Sequence, residues 1–265
     1  MKSILLDAHN DRWLAARVQA ASILSKSVRA RITALQTIEE PAMLASALLG
    51  AELRETELED KLAPAQVAAD ISRECVQELF GSTKTVEWRR DIGDRGQRLM
   101  LHARLADLCV VSIDDMRDYG GLPDAMTRQS PCPILAVPTE FDPFDPHAPI
   151  LVAWDGSFSA SRALRAAVPV LRCSRAIKLV SIGHDPELPL SAAIDYLQRE
   201  GVSASGDVLP ESAPIAHVLV GAAAEHCSGL IVLGAAGHSA LGRAFFGSVA
   251  QALLNRDAFP LFLAH

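Results

Sequence analysis

Short apolar runs alternate with amphipathic stretches along the chain. In the second half the apolar runs are Ile150–Trp154, Ile177–Ile182, Leu230–Leu233 and Leu261–Ala264, with a weaker, alternating run at Ser203–Leu209. Helical spacing of apolar residues fills the gaps, at Ser159–Arg172, Ser191–Glu200, Ile215–Cys227 and Ser248–Arg256. Runs that are apolar at every position predict strands covered on both faces, as in a parallel sheet. Strand–helix alternation then predicts a doubly wound α/β fold with right-handed crossovers.

The pattern occurs twice, and internal repetition of this kind defines the architecture. SILLDAHN near the start matches PILVAWDGS at 149–157, with Ile4 and Ile150 offset by 146. Ala30 in VRARITAL and Ala176 in SRAIKLVSI keep that offset. Further on, ADLCVVS corresponds to SGLIVLG, and each half closes with a proline before an apolar run, PILAVP and PLFLAH. Two tandem domains are expected, residues 1–140 and residues 147–265. The hinge falls at Thr139–Pro149, where Pro143, Pro146 and Pro149 lie among Asp and Phe.

The halves differ in two places. The first carries an extra Ala/Leu/Glu-rich stretch around Glu39–Pro64, which reads as an added or extended helix. It is also shorter after its fourth strand: Ser112 to Pro133 is 21 positions, and Gly234 to Pro260 is 26.

Composition narrows the function. A length of 265 residues suits one or two domains. Aromatics are only 5%, so aliphatic side chains must fill the cores. The net charge of −7 argues against non-specific nucleic-acid binding, which needs a basic face. No segment approaches the roughly 18–20 apolar residues of a membrane span. The opening MKSILLDAHND is too short for a signal-peptide core. A cytoplasmic protein with no membrane partner is expected. The five cysteines form no C-x-x-C and are expected to be buried and reduced.

The candidate chemistry lies after the run Leu230–Leu233, in GAAGHSALGRAFFGSVAQALL. Gly234 and Gly237 are followed, after nine intervening residues, by Gly247 and Ser248. Glycine at a strand end permits a sharp turn and close approach to a ligand. The free amides of the helix that follows favour an anion. Plainer readings exist. Ser248 with Gln251 is a capping-box pattern, and Gly234 and Gly237 also suit ordinary turns. His238 fits a solvated loop residue better than a catalyst, and Arg243 suits a phosphate clamp or solvent equally. In doubly wound sheets, ligands bind beyond the strand C-termini where the strand order reverses. The first strand of this half ends in Asp155, facing the glycine loop. Its carboxylate can accept from a ribose hydroxyl or an adenine amino group, or else cap the next helix.

Strand–DGS–helix, with G-x2-G-x9-G-S after the fourth strand, resembles the universal stress protein family. ADLCVVS and PILAVP are similar to that family too, and the resemblance spans nearly the whole chain as two copies. It implies Rossmann-like domains, of the adenine nucleotide alpha hydrolase-like type, with strand order 3-2-1-4-5. It also implies pairing of the two copies through their last strands. Members with this loop bind ATP. The resemblance therefore implies ATP, or ADP or AMP, as cofactor, with Mg²⁺ as an optional companion. It places Ala153 and Asp155 near the nucleoside. Gly234, Gly237, Gly247 and Ser248 would hold ribose and phosphates, and Val249 would add an amide. In the first copy His9 stands in place of Asp155 and Ser112 in place of Gly234, with no equivalent glycine loop. That copy is expected to be degenerate.

There is no G-x4-G-K-[S/T], no G-x-G-x-x-G after a first strand and no G-x-S-x-G elbow. The leading expectation is a nucleotide-binding regulatory protein of the stress response rather than a dedicated catalyst. The alternatives are a slow ATPase or adenylyl hydrolase, and an interaction module with both sites vestigial. A homodimer and an unnamed protein partner remain open.

Overall fold

The computed structural model describes residues 1–38, 67, 70–78, 80, 86–113, 130–138, 144–237, 245–246 and 248–265. The Glu39–Pro64 stretch and residues 139–143 of the hinge lie outside them.

The first half contributes β1 (Ser3–Asp7), α1 (Leu14–Val28), β2 (Arg31–Ile38), β3 (Val86–Ile92), α2 (Arg95–Ala103), β4 (Leu108–Ser112) and β5 (Ile134–Val137). Residues 70–78 are also helical. The second half contributes β6 (Ile150–Ala153), α3 (Phe158–Leu171), β7 (Ile177–Ile182), α4 (Leu190–Arg199), β8 (Ser205–Leu209), α5 (Ile215–Glu225) and β9 (Leu230–Gly234). It closes with β10 (Ala236–Gly237), β11 (Phe245–Phe246), α6 (Ser248–Leu254) and β12 (Leu261–Ala264).

Ten strands form one sheet in the order β3-β2-β1-β4-β5-β12-β9-β6-β7-β8. Read inward from its outer edge, each half has the 3-2-1-4-5 order with parallel neighbours. The two last strands, β5 and β12, pair antiparallel, Phe262 opposite Leu135. The two five-stranded units are thus joined through their last strands, as the family resemblance implies, into one continuous sheet. Pairing β5 with β12 covers two edges that would otherwise expose free backbone groups. The remaining edges are β3 and β8. Both are largely solvent-exposed, which explains the alternating pattern of the Ser203–Leu209 run.

Helices cover both faces. One core layer holds Leu14, Val18 and Leu24 of α1 with Leu164 and Leu171 of α3. The other holds Leu99 of α2, Leu219 of α5 and Leu253 of α6. Each layer runs across both halves. Phe144, from the proline-rich hinge, is itself buried in the first layer. Central strands such as β4 are buried at every position, as their unbroken apolar runs require. The cysteines are all free. Cys109 and Cys132 are buried, but Cys227 is exposed because it turns the chain out of α5 with φ 50°.

Candidate functional site

The strand order reverses between β6 and β9, and their carboxyl ends open a cavity of about 180 Å³. Doubly wound sheets put their ligand sites at this place because the crossovers from the two strands leave toward opposite faces. The walls are mainly apolar: Ala153 from β6, Val180 from β7, Leu219 from α5 and Leu233 from β9. Asp155, Ser181 and His184 supply the polar lining.

Two loops are locked together at the rim. Trp154, buried just past β6, donates its indole N–H to Leu188 O at 2.9 Å. Ser181 Oγ donates back to Trp154 O at 2.7 Å. Gly156 has φ +70°, and a Cβ there would stand 3.0 Å from Pro186 Cβ and 3.2 Å from Leu188 O. Only glycine meets both the left-handed backbone and the close approach. The β7–α4 loop is thus a fixed wall of the cavity.

Asp155 lies on the cavity rim and does not cap α3, the alternative role expected for it. Its Oδ1 accepts from the Ser157 amide at 2.9 Å, a local turn, while the residue is exposed on the cavity rim. The cap of α3 comes from Ser157, whose Oγ accepts from Ala160 N at 3.1 Å. Gly234 also lines the cavity, but helix packing by itself demands a glycine. A Cβ there would lie 2.6 Å from Ala160 N and 2.7 Å from the Ser159 carbonyl carbon.

Of the residues expected from sequence, Ala153, Asp155, Gly234 and Val249 meet at this cavity. Ser248 is exposed as the first residue of α6 and is not part of the lining. Gly237 sits in a two-residue ribbon, opposite Phe245, which the sequence reading did not anticipate. His238, Arg243 and Gly247 lie outside the described residues. Sequence reasoning missed Trp154, Val180, Ser181 and His184. The end of the second strand borders the switch point in every sheet of this order, and that topological rule would have found Val180 and Ser181.

The first half looks different at the same level. Asp7 ends β1 and is fully buried, as is Arg17 of α1. Arg17 Nη1 donates to Ser112 Oγ at 2.9 Å and lies 3.0 Å from Asp11 Oδ1. Its Nε and Nη2 donate to the carbonyls of Asp7 (2.8 Å) and His9 (2.7 Å). Arg95, the first residue of α2, donates through Nε and Nη2 to the Asp7 carboxylate, and through Nη2 to Asp11 Oδ2 at 3.2 Å. Burial pushes the Asp7 carboxyl up, but Arg95 and Arg17 outweigh it and hold it below the ordinary value. Burial and the Arg95 charge push the His9 imidazole down.

No family model matches the chain, and no curated protein matches it. Solved structures do. A universal stress protein from Archaeoglobus fulgidus DSM 4304 superposes with a TM-score of 0.71 at 13% identity, covering 99% of this chain and 95% of its own. A putative universal stress protein from Pseudomonas aeruginosa gives 0.59 at 16% identity, covering 100% of this chain and 93% of its own. A universal stress protein in complex with cAMP matches 52% of this chain and 98% of its own, with 18% identity and a TM-score of 0.39. The two long matches run through both halves, and the chain has the fold of a tandem universal stress protein.

Proposed function

We propose that the chain is a universal stress protein whose second half, residues 147–265, binds an adenine nucleotide and acts through that binding rather than as a dedicated catalyst. The observation that carries this is the cavity at the β6/β9 switch point, with aliphatic walls and one carboxylate at the rim. Aliphatic walls such as Val180, Leu219 and Leu233 suit a flat heterocycle. A few placed polar groups then fix its orientation. Asp155 keeps a carboxylate oxygen for ribose hydroxyls, and Ser181 and His184 complete the polar lining. Val249, in the first turn of α6, faces the same space. A bound ATP would bring the phosphates, and Mg²⁺ would accompany them. The first half, residues 1–140, serves as its structural partner through the β5–β12 pairing.

The test is direct. Protein purified without added nucleotide is denatured, and the released small molecules are identified by mass spectrometry. Calorimetry with ATP, ADP and AMP follows on wild type and Asp155→Asn. We expect saturable binding that weakens about tenfold in the variant, the worth of one hydrogen bond to a charged acceptor. A protein that releases nothing and shows no heat with any of the three nucleotides overturns the assignment.

A further inference from the structure

The sheet register aligns the two halves residue by residue. Ile4 lies opposite Leu108 in the first half, and Ile150 lies opposite Leu230 in the second. Asp7 and Ala153 therefore take equivalent places at the end of the first strand. Ser112 and Gly234 are equivalent at the end of the fourth. Arg17 and Ala163 share the 146-residue offset and are both buried on the first helix. Arg95 opens α2 as Ile215 opens α5. In the second half these positions are thus Ala153, Gly234 and Ile215, which line the cavity, and Ala163, buried behind it in α3. In the first half they are Asp7, Arg17, Ser112 and Arg95, and all four are buried and bonded to one another.

We propose that the first half is a self-liganded copy: Arg17 and Arg95, held by Asp7 and Asp11, fill the hollow that the second half keeps open, so the chain takes one anionic ligand and not two. The count of one rests on the nucleotide reading of the second half. Closure of the first half does not.

The charges explain why the filled site excludes a second anion. Two guanidinium groups face two carboxylates, with side-chain exposures of 0% for Arg17 and Asp7, 6% for Arg95 and 14% for Asp11. A phosphate entering here must take a guanidinium from Asp7. That leaves a fully buried carboxylate short of one of its two guanidinium partners, a state disfavoured in a low-dielectric interior. The second half has no such internal competitor among its described lining residues. Its ligand supplies the polar contacts that the first half supplies to itself.

Two measurements decide the matter. Hydrogen exchange is followed across the full chain with and without ATP. We expect slowing at residues 153–160, 180–184 and 215–219, and none at 7–17, 95–99 or 108–113. Urea unfolding is then compared for wild type, Asp7→Asn and the milder Asp11→Asn. Breaking a buried pair raises the unfolding constant by roughly 150- to 5,000-fold, so Asp7→Asn should shift the midpoint clearly downward or fail to fold. Asp11→Asn should move it the same way by less. His9 Nδ1 and Trp13 Nε1 are buried nearby with no partner among the described residues. A ligand held by them would slow exchange at 7–17, and that result overturns the proposal. So do two ATP per chain by calorimetry, or Asp7→Asn and Asp11→Asn both unfolding like wild type. If ATP slows exchange in neither half, the nucleotide reading fails, and the urea midpoints alone decide closure of the first half.

Discussion

Gly234→Ala tests whether the end of β9 is glycine for packing. The added Cβ would stand 2.6 Å from Ala160 N, 2.6 Å from Ser159 Oγ and 2.7 Å from the Ser159 carbonyl carbon. Two of these are backbone atoms in the first turn of α3, and they cannot rotate away. Ordinary contact begins at 3.4 Å, so that turn must retreat by about 0.8 Å, the difference between 3.4 and 2.6. The helix is pinned: α3 packs on β9 and β12, and Ser157 caps it. Overpacking of this kind costs about 1–3 kcal/mol. In a chain of this size each kcal/mol lowers Tm by roughly 2–4 °C, so thermal unfolding followed by circular dichroism should show a drop of roughly 5 °C. Ala160 also lines the cavity, so nucleotide affinity should fall with stability. Gly221→Ala is the matched control. Gly221 lies within α5, where an added Cβ meets nothing within 4 Å. That change should stabilise by about 0.5–1 kcal/mol, the helical cost of glycine relative to alanine. If both variants melt at or above the wild-type temperature, the packing argument for Gly234 is wrong.

Trp154→Phe removes the indole bond to Leu188 O. It should cost about 1 kcal/mol and speed amide exchange in residues 183–189. Unchanged exchange there would show that the wall is held by other means. Stability should also fall with acid in two steps. Burial, with Arg95 for His9 and Lys178 for His226, holds both imidazoles below the ordinary 6.5. The unfolded chain therefore takes up these protons first. The histidines' contribution is complete above pH 6.5 and declines as pH falls from there through the folded values. Asp7 keeps its contribution above the ordinary 3.8 and loses it only as pH falls through its depressed folded value. Urea midpoints at descending pH should show both steps, and His9→Gln should shrink the first. A profile flat between pH 8 and 5 would contradict this assignment.

The sequence by itself determined the repeating order of strands and helices. Unbroken apolar runs such as Leu108–Ser112 have a stable place only between two helical layers, and the shared 146-residue offset marks the repeat. It also placed Asp155 and Gly234 at one site, because a strand's carboxyl end is readable from where its apolar run stops. Three matters were decided only in three dimensions. The first is the antiparallel register of β5 on β12, a pairing the family resemblance implied but whose alignment depends on backbone hydrogen bonds between residues 125 or more apart in sequence. The second is the wall made by residues 183–189, whose lock on Trp154 and Gly156 has no periodic signature. The third is the state of the first half. Its glycine loop is absent from the sequence, which suggests an empty relic. Asp7, Arg17, Arg95 and Ser112 are scattered over more than a hundred residues, and their charges compensate only where the fold buries all four together.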